Sequence, residues 1–464
     1  MNGSKWKTLL AQASVMLAAA MLVSACSGGE VPNNGSRNTD SAASGGADNG
    51  KATPSAGNAS IGNEKATLTV STFWPDPMLE WAKKKYEQMH PNITIEVHSV
   101  TADDSQIEAE LEKYVTATNT AVLSGNGPDL LFLDMLPADK YVGQHLLEDL
   151  GPWLRQESSF KNGDYFNNIL ENSQTGGGLY SVPLSFFLNA MFGNEPAIKQ
   201  TGVPVDDSAW TWDSFLDTAQ QLTAAQPGKQ AIGITPTGLL GQLAKENSSR
   251  FIDTENRKAF FDTAGFTDSL ELVKAMSDKQ YIGTARDAFL TIKHVTSAWD
   301  YLNTLQESGQ GSRMYAMPHS ADTGEGGFFY TYRTVGMNAK SSHKDIAKDF
   351  LLLLMSDQFE LSAKTAGFPI NKKLYEKQAE QLMKAGATDS YQEGPLGGAT
   401  FPVDTKALED LEAYLKQAAH GSPFQQGMIE ELVMKESQAF FAGQKSAQSV
   451  AKLIQNKAMT YLNE

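Results

Sequence analysis

The sequence predicts an α/β protein of two lobes, each a doubly wound sheet flanked by helices, with a ligand cleft between them. Three observations predict it. At 464 residues the chain is longer than one ordinary core organises. From residue 66 onward, strand-like and helix-like patterns alternate, the signature of right-handed crossovers in a mostly parallel sheet. Finally, residues 176–194 set three glycines before an extended aromatic run, with Pro183 barring a helix. That run suits a strand passing between lobes with one face turned to a ligand. Its polar members are Ser185 and Asn189, and Phe186 and Phe187 cannot both point to one side.

Composition narrows the function. Hydrophobic residues make up 41% and charged residues 20%, a globular balance. The net charge of −16 opposes nucleic-acid binding, because phosphates would be repelled. One cysteine excludes a disulfide within the chain, a multi-cysteine zinc site and a Cys-x-x-Cys redox pair. Its place gives it a meaning. Lys5 and Lys7 precede an apolar run, residues 9–23, too short for a lasting membrane span. That run ends in Val23-Ser24-Ala25-Cys26, which resembles the bacterial lipobox, so residues 1–25 read as a lipoprotein signal peptide and Cys26 as the lipidated residue. Residues 26–65 then form a tether rich in Gly, Ser, Asn and Ala. As a coil it would span roughly 35 Å.

The folded body opens with a strand over residues 67–74. Asp76-Pro77 supplies a helix cap and a proline at the first helical position, and Leu79, Ala82, Tyr86 and Met89 mark one helical face. Residues 93–97 alternate as a second strand. A second helix is expected from Asp103-Asp104, stopped by Gly125 and Pro128. Residues 129–134 form an apolar run of the buried parallel type. In such sheets ligands sit beyond the carboxyl ends of the strands. Those ends carry Phe73, Trp74 and Asp76 after the first strand and Asp134 after the third, with Asp76 equally suited to capping alone.

Several motifs, in their order, resemble the family 1 extracellular solute-binding proteins, the maltose-binding-protein-like receptors of bacterial ABC importers. They are Ser124-Gly-Asn-Gly-Pro-Asp129, the segment 178–194, Thr211-Trp-Asp-Ser-Phe215, Val335-Gly-Met-Asn-Ala-Lys-Ser341 and Gly367-Phe-Pro-Ile-Asn371. The resemblance covers residues 66–464. It implies a periplasmic-binding-protein-like fold, a first lobe of 66–182 plus 334–398, and a second of 187–328 plus 399–464. It also implies an oligosaccharide ligand, permease subunits of an ABC transporter as partners, and a place on the outer face of the cell membrane. Trp299, with Asp300, occupies the position of the family's ligand-stacking tryptophan. The chain departs from the pattern at Gly193-Asn194-Glu195 and at residues 286–293.

Within the second lobe, Thr211 is expected to cap a helix with Trp212 in the core, and residues 239–297 read as mostly helical. Residues 324–333 are a glycine-rich approach to a strand whose alternation puts Phe328 and Tyr330 on one face, expected to look into the cleft. Ser341-Ser342 is expected to cap a helix carrying the run 350–354. No sequence motif calls for a cofactor or metal: Gly-x-Ser-x-Gly, His-Glu-x-x-His and the Walker loop are all missing, and the seven histidines show no ligand spacing. Carboxylate pairs such as Glu430-Glu431 read as solvated. A binding receptor is therefore expected rather than an enzyme. The rivals are a lipid-anchored glycan hydrolase, which needs only two carboxyls brought together in space, and a lipoprotein presenting ligand to a membrane sensor.

Overall fold

The computed structural model describes residues 64–463 apart from 102–104, 209, 254–255, 284–287, 321–323, 359–363, 365–366, 395 and 424–426. The signal peptide, Cys26 and the tether, like Asp103-Asp104, lie outside the described residues.

Strand β1 (Ala66–Ser71) is followed by the helix Pro77–Met89, which buries Leu79, Ala82 and Tyr86. Asp76 caps that helix, accepting from the Met78 N–H at 2.9 Å. β2 (Ile93–His98) lies parallel to β1, and the helix Ile107–Ser124 ends at Gly125, whose φ of +82° suits glycine. β3 (Leu130–Phe132), buried throughout, pairs parallel with β1 on its other side. Just before it, Asp129 accepts from Thr69 N and Oγ1 at 2.8 Å and from Ser341 Oγ at 2.6 Å. One carboxylate thus ties three chain segments.

Two long strands come next in importance. β4 (Ser181–Asn194) is buried along nearly its whole length, and β10 (Gly327–Met337) pairs with it antiparallel. Between them in sequence lie β5 (Gln230–Ile232), the small hairpin of β6 (Ile252–Asp253) and β7 (Lys258–Ala259), β8 (Ala288–Val295) and β9 (Ser312–Tyr315). After them come β11 (Phe368–Pro369), the pair β12 (Ala387–Asp389) and β13 (Thr400–Pro402), and β14 (Ala418–Pro423). The main sheet runs β2-β1-β3-β10-β4-β8-β5, with β9 and β11 also on β4 and β14 also on β10. The last residues of β10 pair with β3, while its first residues pair with β14. Likewise β4 begins opposite β10 and ends between β8 and β9. Both strands therefore pair in two regions of the sheet at once.

Two expectations need correction. Residues 239–297 are not mostly helical: the helices Pro236–Glu246, Ser248–Phe251 and Ala264–Asp278 share the stretch with β6, β7 and β8. The helix Lys344–Met355 starts later than Ser341-Ser342 suggest, with His343 at its cap position; Ser341 Oγ instead accepts from His343 N. Its 350–354 run is buried except for Leu352, which is half-buried. Thr211 caps Trp212–Ala225 through a reciprocal bond with Ser214, and Trp212 is core.

Candidate ligand-binding site

Directly opposed residues of an antiparallel pair share a face. The register sets Ser185 opposite Tyr332, Phe187 opposite Tyr330 and Asn189 opposite Phe328, with His294 of β8 beyond Asn189. Phe187 and Tyr332 lie tilted together at 4.8 Å, and Tyr330 meets His294 edge-on at 5.0 Å. Among the described residues, Phe187, Tyr330 and Tyr332 are buried yet belong to none of the hydrophobic clusters of the protein. The opposite face carries Phe186, which is fully buried and packs on Phe166, Phe329 and Phe368. Phe186 is core, a correction to its expected place at the ligand. Ser185, fully buried, donates weakly to the Tyr332 carbonyl at 3.4 Å.

One end of the aromatic face meets the carboxyl ends of β1 and β3. Phe73 is buried against Tyr114 and against the half-buried Trp74, ring centres 5.5 and 4.7 Å away. Asp76, besides capping its helix, pairs with Arg333 Nη1 at 2.8 Å. Asp134 accepts from the Thr334 N–H at 3.2 Å. Desolvation pushes its carboxyl up to about 7, outweighing that hydrogen bond and the nearby Arg333 charge. Arg333 was not singled out from sequence. Its φ of +51° inside a strand is uncommon for a side chain other than glycine and interrupts the alternation of β10. The only signal was a lone cation among alternating aromatics.

The other end meets the helices Pro236–Glu246 and Met428–Phe441. Asn189 Nδ2 donates to Glu246 Oε1 at 3.1 Å, and Gln242 Nε2 donates to the same oxygen at 2.8 Å. Lys245 Nζ lies 4.5 Å from the Tyr330 ring centre and 3.5 Å from Glu430 Oε2. Burial pushes Glu246 up to about 8 and raises Glu430; Glu431 is pushed up to about 7, by burial first and then by Glu430. The expectation of a solvated Glu430-Glu431 pair is corrected for Glu430, whose side chain is largely covered and ion-paired. Phe328 is buried against His420, ring centres 4.8 Å apart.

Trp299 and Asp300 sit on the helix Ala298–Glu307, both buried. Trp299 Nε1 donates to Asp389 Oδ1 at 3.3 Å, its ring meets Tyr391 edge-on at 5.0 Å, and Lys364 Nζ lies 5.0 Å from its centre. Asp300 accepts from Thr296 N and Oγ1 and from the Tyr391 hydroxyl. None of these partners belongs to the crossing strands. Among the described residues no group of three or more His, Cys, Asp or Glu is placed to hold a metal ion, and no helix is long and apolar enough to cross a membrane.

The aromatic strand face thus has carboxylates at both ends. Residues 74–360 match the bacterial extracellular solute-binding proteins. The chain belongs to this family. The erythritol/L-threitol-binding protein of Mycolicibacterium smegmatis is 26% identical over 267 residues, 51% of this chain and 52% of that protein. The chain thus spans about half the length of the curated relative it matches. Among solved structures, the sugar-binding protein MalE of Xanthomonas citri superposes with a TM-score of 0.57 at 14% identity, covering 86% of this chain and 98% of that one. A family 1 protein of Alicyclobacillus acidocaldarius gives 0.55 at 18%, covering 86% and 99%. The cyclic alpha-maltosyl-1,6-maltose binding protein of Arthrobacter globiformis gives 0.53 at 15%, with the same coverage. These likenesses establish the two-lobe fold of the family.

Proposed function

We propose that this member of the family captures a carbohydrate, an oligosaccharide, over the shared face of β4 and β10 and delivers it to the permease subunits of an ABC transporter. One observation carries the reading: Phe187, Tyr330 and Tyr332 form an aromatic floor flanked by polar groups from both ends of the sheet. Aromatic faces stack on the C–H faces of a sugar, and carboxylates and amides take its hydroxyls. First-lobe residues 66–182 plus 334–398 and second-lobe residues 187–328 plus 399–464 would close over it. A ligand touching both lobes favours the closed form, which a permease can read. Sugar and polyol binding in the names of its relatives supports the class.

The site set we propose is Trp74, Asp76, Asp134, Ser185, Phe187, Asn189 and Tyr330, joined by Tyr332, Arg333 and Glu246. The decisive experiment is a thermal-shift panel of maltose, maltotriose, cyclic glucans and erythritol on the purified protein. At about 100 times Kd a ligand contributes about 2.7 kcal/mol of stability. A shift with the sugar recovered intact supports the reading; hydrolysis of the sugar overturns it in favour of a glycan-active enzyme. Cys26 is proposed as the lipid anchor, and Cys26→Ser is expected to move the protein out of the membrane fraction or leave the precursor uncut. Wild-type protein recovered wholly soluble, with another N-terminus, would exclude the anchor.

A further inference from the structure

The aromatic face is bounded by more acid than base. At one end Arg333 faces two carboxylates, with Asp76 at 2.8 Å and the Asp134 charge close by. At the other, Lys245 is paired with Glu430 at 3.5 Å, and Glu246 makes no ion pair among the described residues. Two oxygens there have no partner. Asn189 Oδ1 and Glu246 Oε2 are both shut off from solvent and accept no hydrogen bond. They belong to side chains joined to each other by the 3.1 Å bond from Asn189 Nδ2 to Glu246 Oε1. Asn189 stands on the same strand face as Phe187 and Tyr330, at the edge of the floor.

A buried acceptor without a donor is costly, and two together mark a place where a donor belongs. A hydroxyl brings one donor and two further lone pairs; an ammonium brings three donors and no acceptor. An anion would face Glu246, Glu430 and Asp134, while Lys245 and Arg333 are already paired with Glu430 and Asp76. We propose that Asn189 Oδ1 and Glu246 Oε2 receive a protonated amine, so that the protein selects an amino sugar over its acetylated, neutral and acidic counterparts. This rests on the carbohydrate reading above and adds the chemical class of the sugar.

Burial keeps a proton on the Glu246 carboxyl near neutral pH in the empty protein, and that proton is the donor an ammonium would replace. The groups facing it are Asn189 on β4, Gln242 and Lys245 on its own helix, Glu430 on the helix Met428–Phe441 and Tyr330 on β10. An arriving ammonium stabilises the carboxylate, so the proton leaves to buffer as the ion pair forms. Binding of the amine releases a proton; binding of a neutral sugar does not.

Calorimetry on the purified full-length protein with four trimers tests this: the glucosamine trimer, its fully acetylated form, maltotriose and trigalacturonic acid. The glucosamine trimer is expected to bind at least about tenfold tighter than the others, the scale of one charge-assisted hydrogen-bond cluster. Its heat should vary with buffer ionisation enthalpy as for release of about one proton near pH 7. In Glu246→Gln the preference for amine over acetyl should fall to within about threefold. If that variant does not fold, Asn189→Ser provides the same readout. Equal or tighter binding of the acetylated, neutral or acidic trimer overturns the proposal, as does a preference that survives both substitutions. Binding of maltotriose without any advantage for the amine leaves the carbohydrate reading standing and removes this one. Binding of none of the four removes both.

Discussion

Phe186 and Phe187 are chain neighbours with opposite surroundings, and their alternation was legible in the sequence while their assignment was not. A strand must send them to opposite sides, but only the register with β10 shows that Phe186 enters the core and Phe187 lies beside Tyr332. Phe187→Ala is expected to weaken ligand binding by roughly 1–3 kcal/mol, one lost aromatic contact and its burial. Phe186→Ala is expected to cost about 3–5 kcal/mol of stability. Calorimetry beside denaturant unfolding separates the two, and a larger stability loss at Phe187 than at Phe186 would reverse the assignment. Trp299 illustrates the opposite limit. The sequence around it favours a ligand platform over a buried Trp on an amphipathic helix, because the Asp389, Lys364 and Tyr391 that surround it come from far along the chain. Trp299→Ala should therefore lower the melting temperature of the ligand-free protein far more than Phe187→Ala does. Arg333 was invisible for a third reason: its left-handed φ is a property of the backbone, and no residue type announces it.

Elements with local causes were readable, and those held by distant pairing were not. Asp76-Pro77, Thr211 and Gly125 each mark a helix end by their own chemistry, and each stands where the sequence placed it. β8 has no such mark. It is held by β4 on one side and β5 on the other, and this tertiary pairing overrides the helix-like appearance of its surroundings. The departure at Gly193-Asn194-Glu195 also acquires a cause. A Cβ on Gly193 would lie 2.7 Å from both the Phe289 carbonyl oxygen and Leu290 Cδ2. Asn194 caps the helix Glu195–Gln200, and Glu195 pairs with Lys199 at 2.9 Å and Arg313 at 3.2 Å. Gly193→Ala is accordingly expected to cost about 1–3 kcal/mol through overpacking against backbone that cannot withdraw. A melting temperature equal to wild type would show that β8 shifts freely.

At the scale of the molecule, the carboxyls gathered around the aromatic face make stability depend on pH. Asp134 rises from 3.8 to about 7, Glu246 from 4.5 to about 8, and Glu431 from 4.5 to about 7, with burial the first cause in each. An acid whose folded pKa lies above its unfolded value favours the folded state while protonated. Its contribution is complete below the unfolded pKa and is lost as pH rises through the folded one. The three together place the loss between about pH 4 and pH 8, with the half-buried Glu431 discounted for solvent screening. His420 works the other way, because burial depresses its pKa and the folded state gains as the imidazole loses its proton. One half-buried imidazole does not offset desolvated carboxyls at both ends of the face. The ligand-free protein should thus melt at a higher temperature at pH 5 than at pH 8. Asp134→Asn and Glu246→Gln should each raise the pH 8 value and flatten the slope, since an amide keeps the shape and never ionises. A wild-type melting temperature that stays level or climbs from pH 5 to pH 8 would mean that these carboxyls reach water, and the aromatic face would then be open rather than covered.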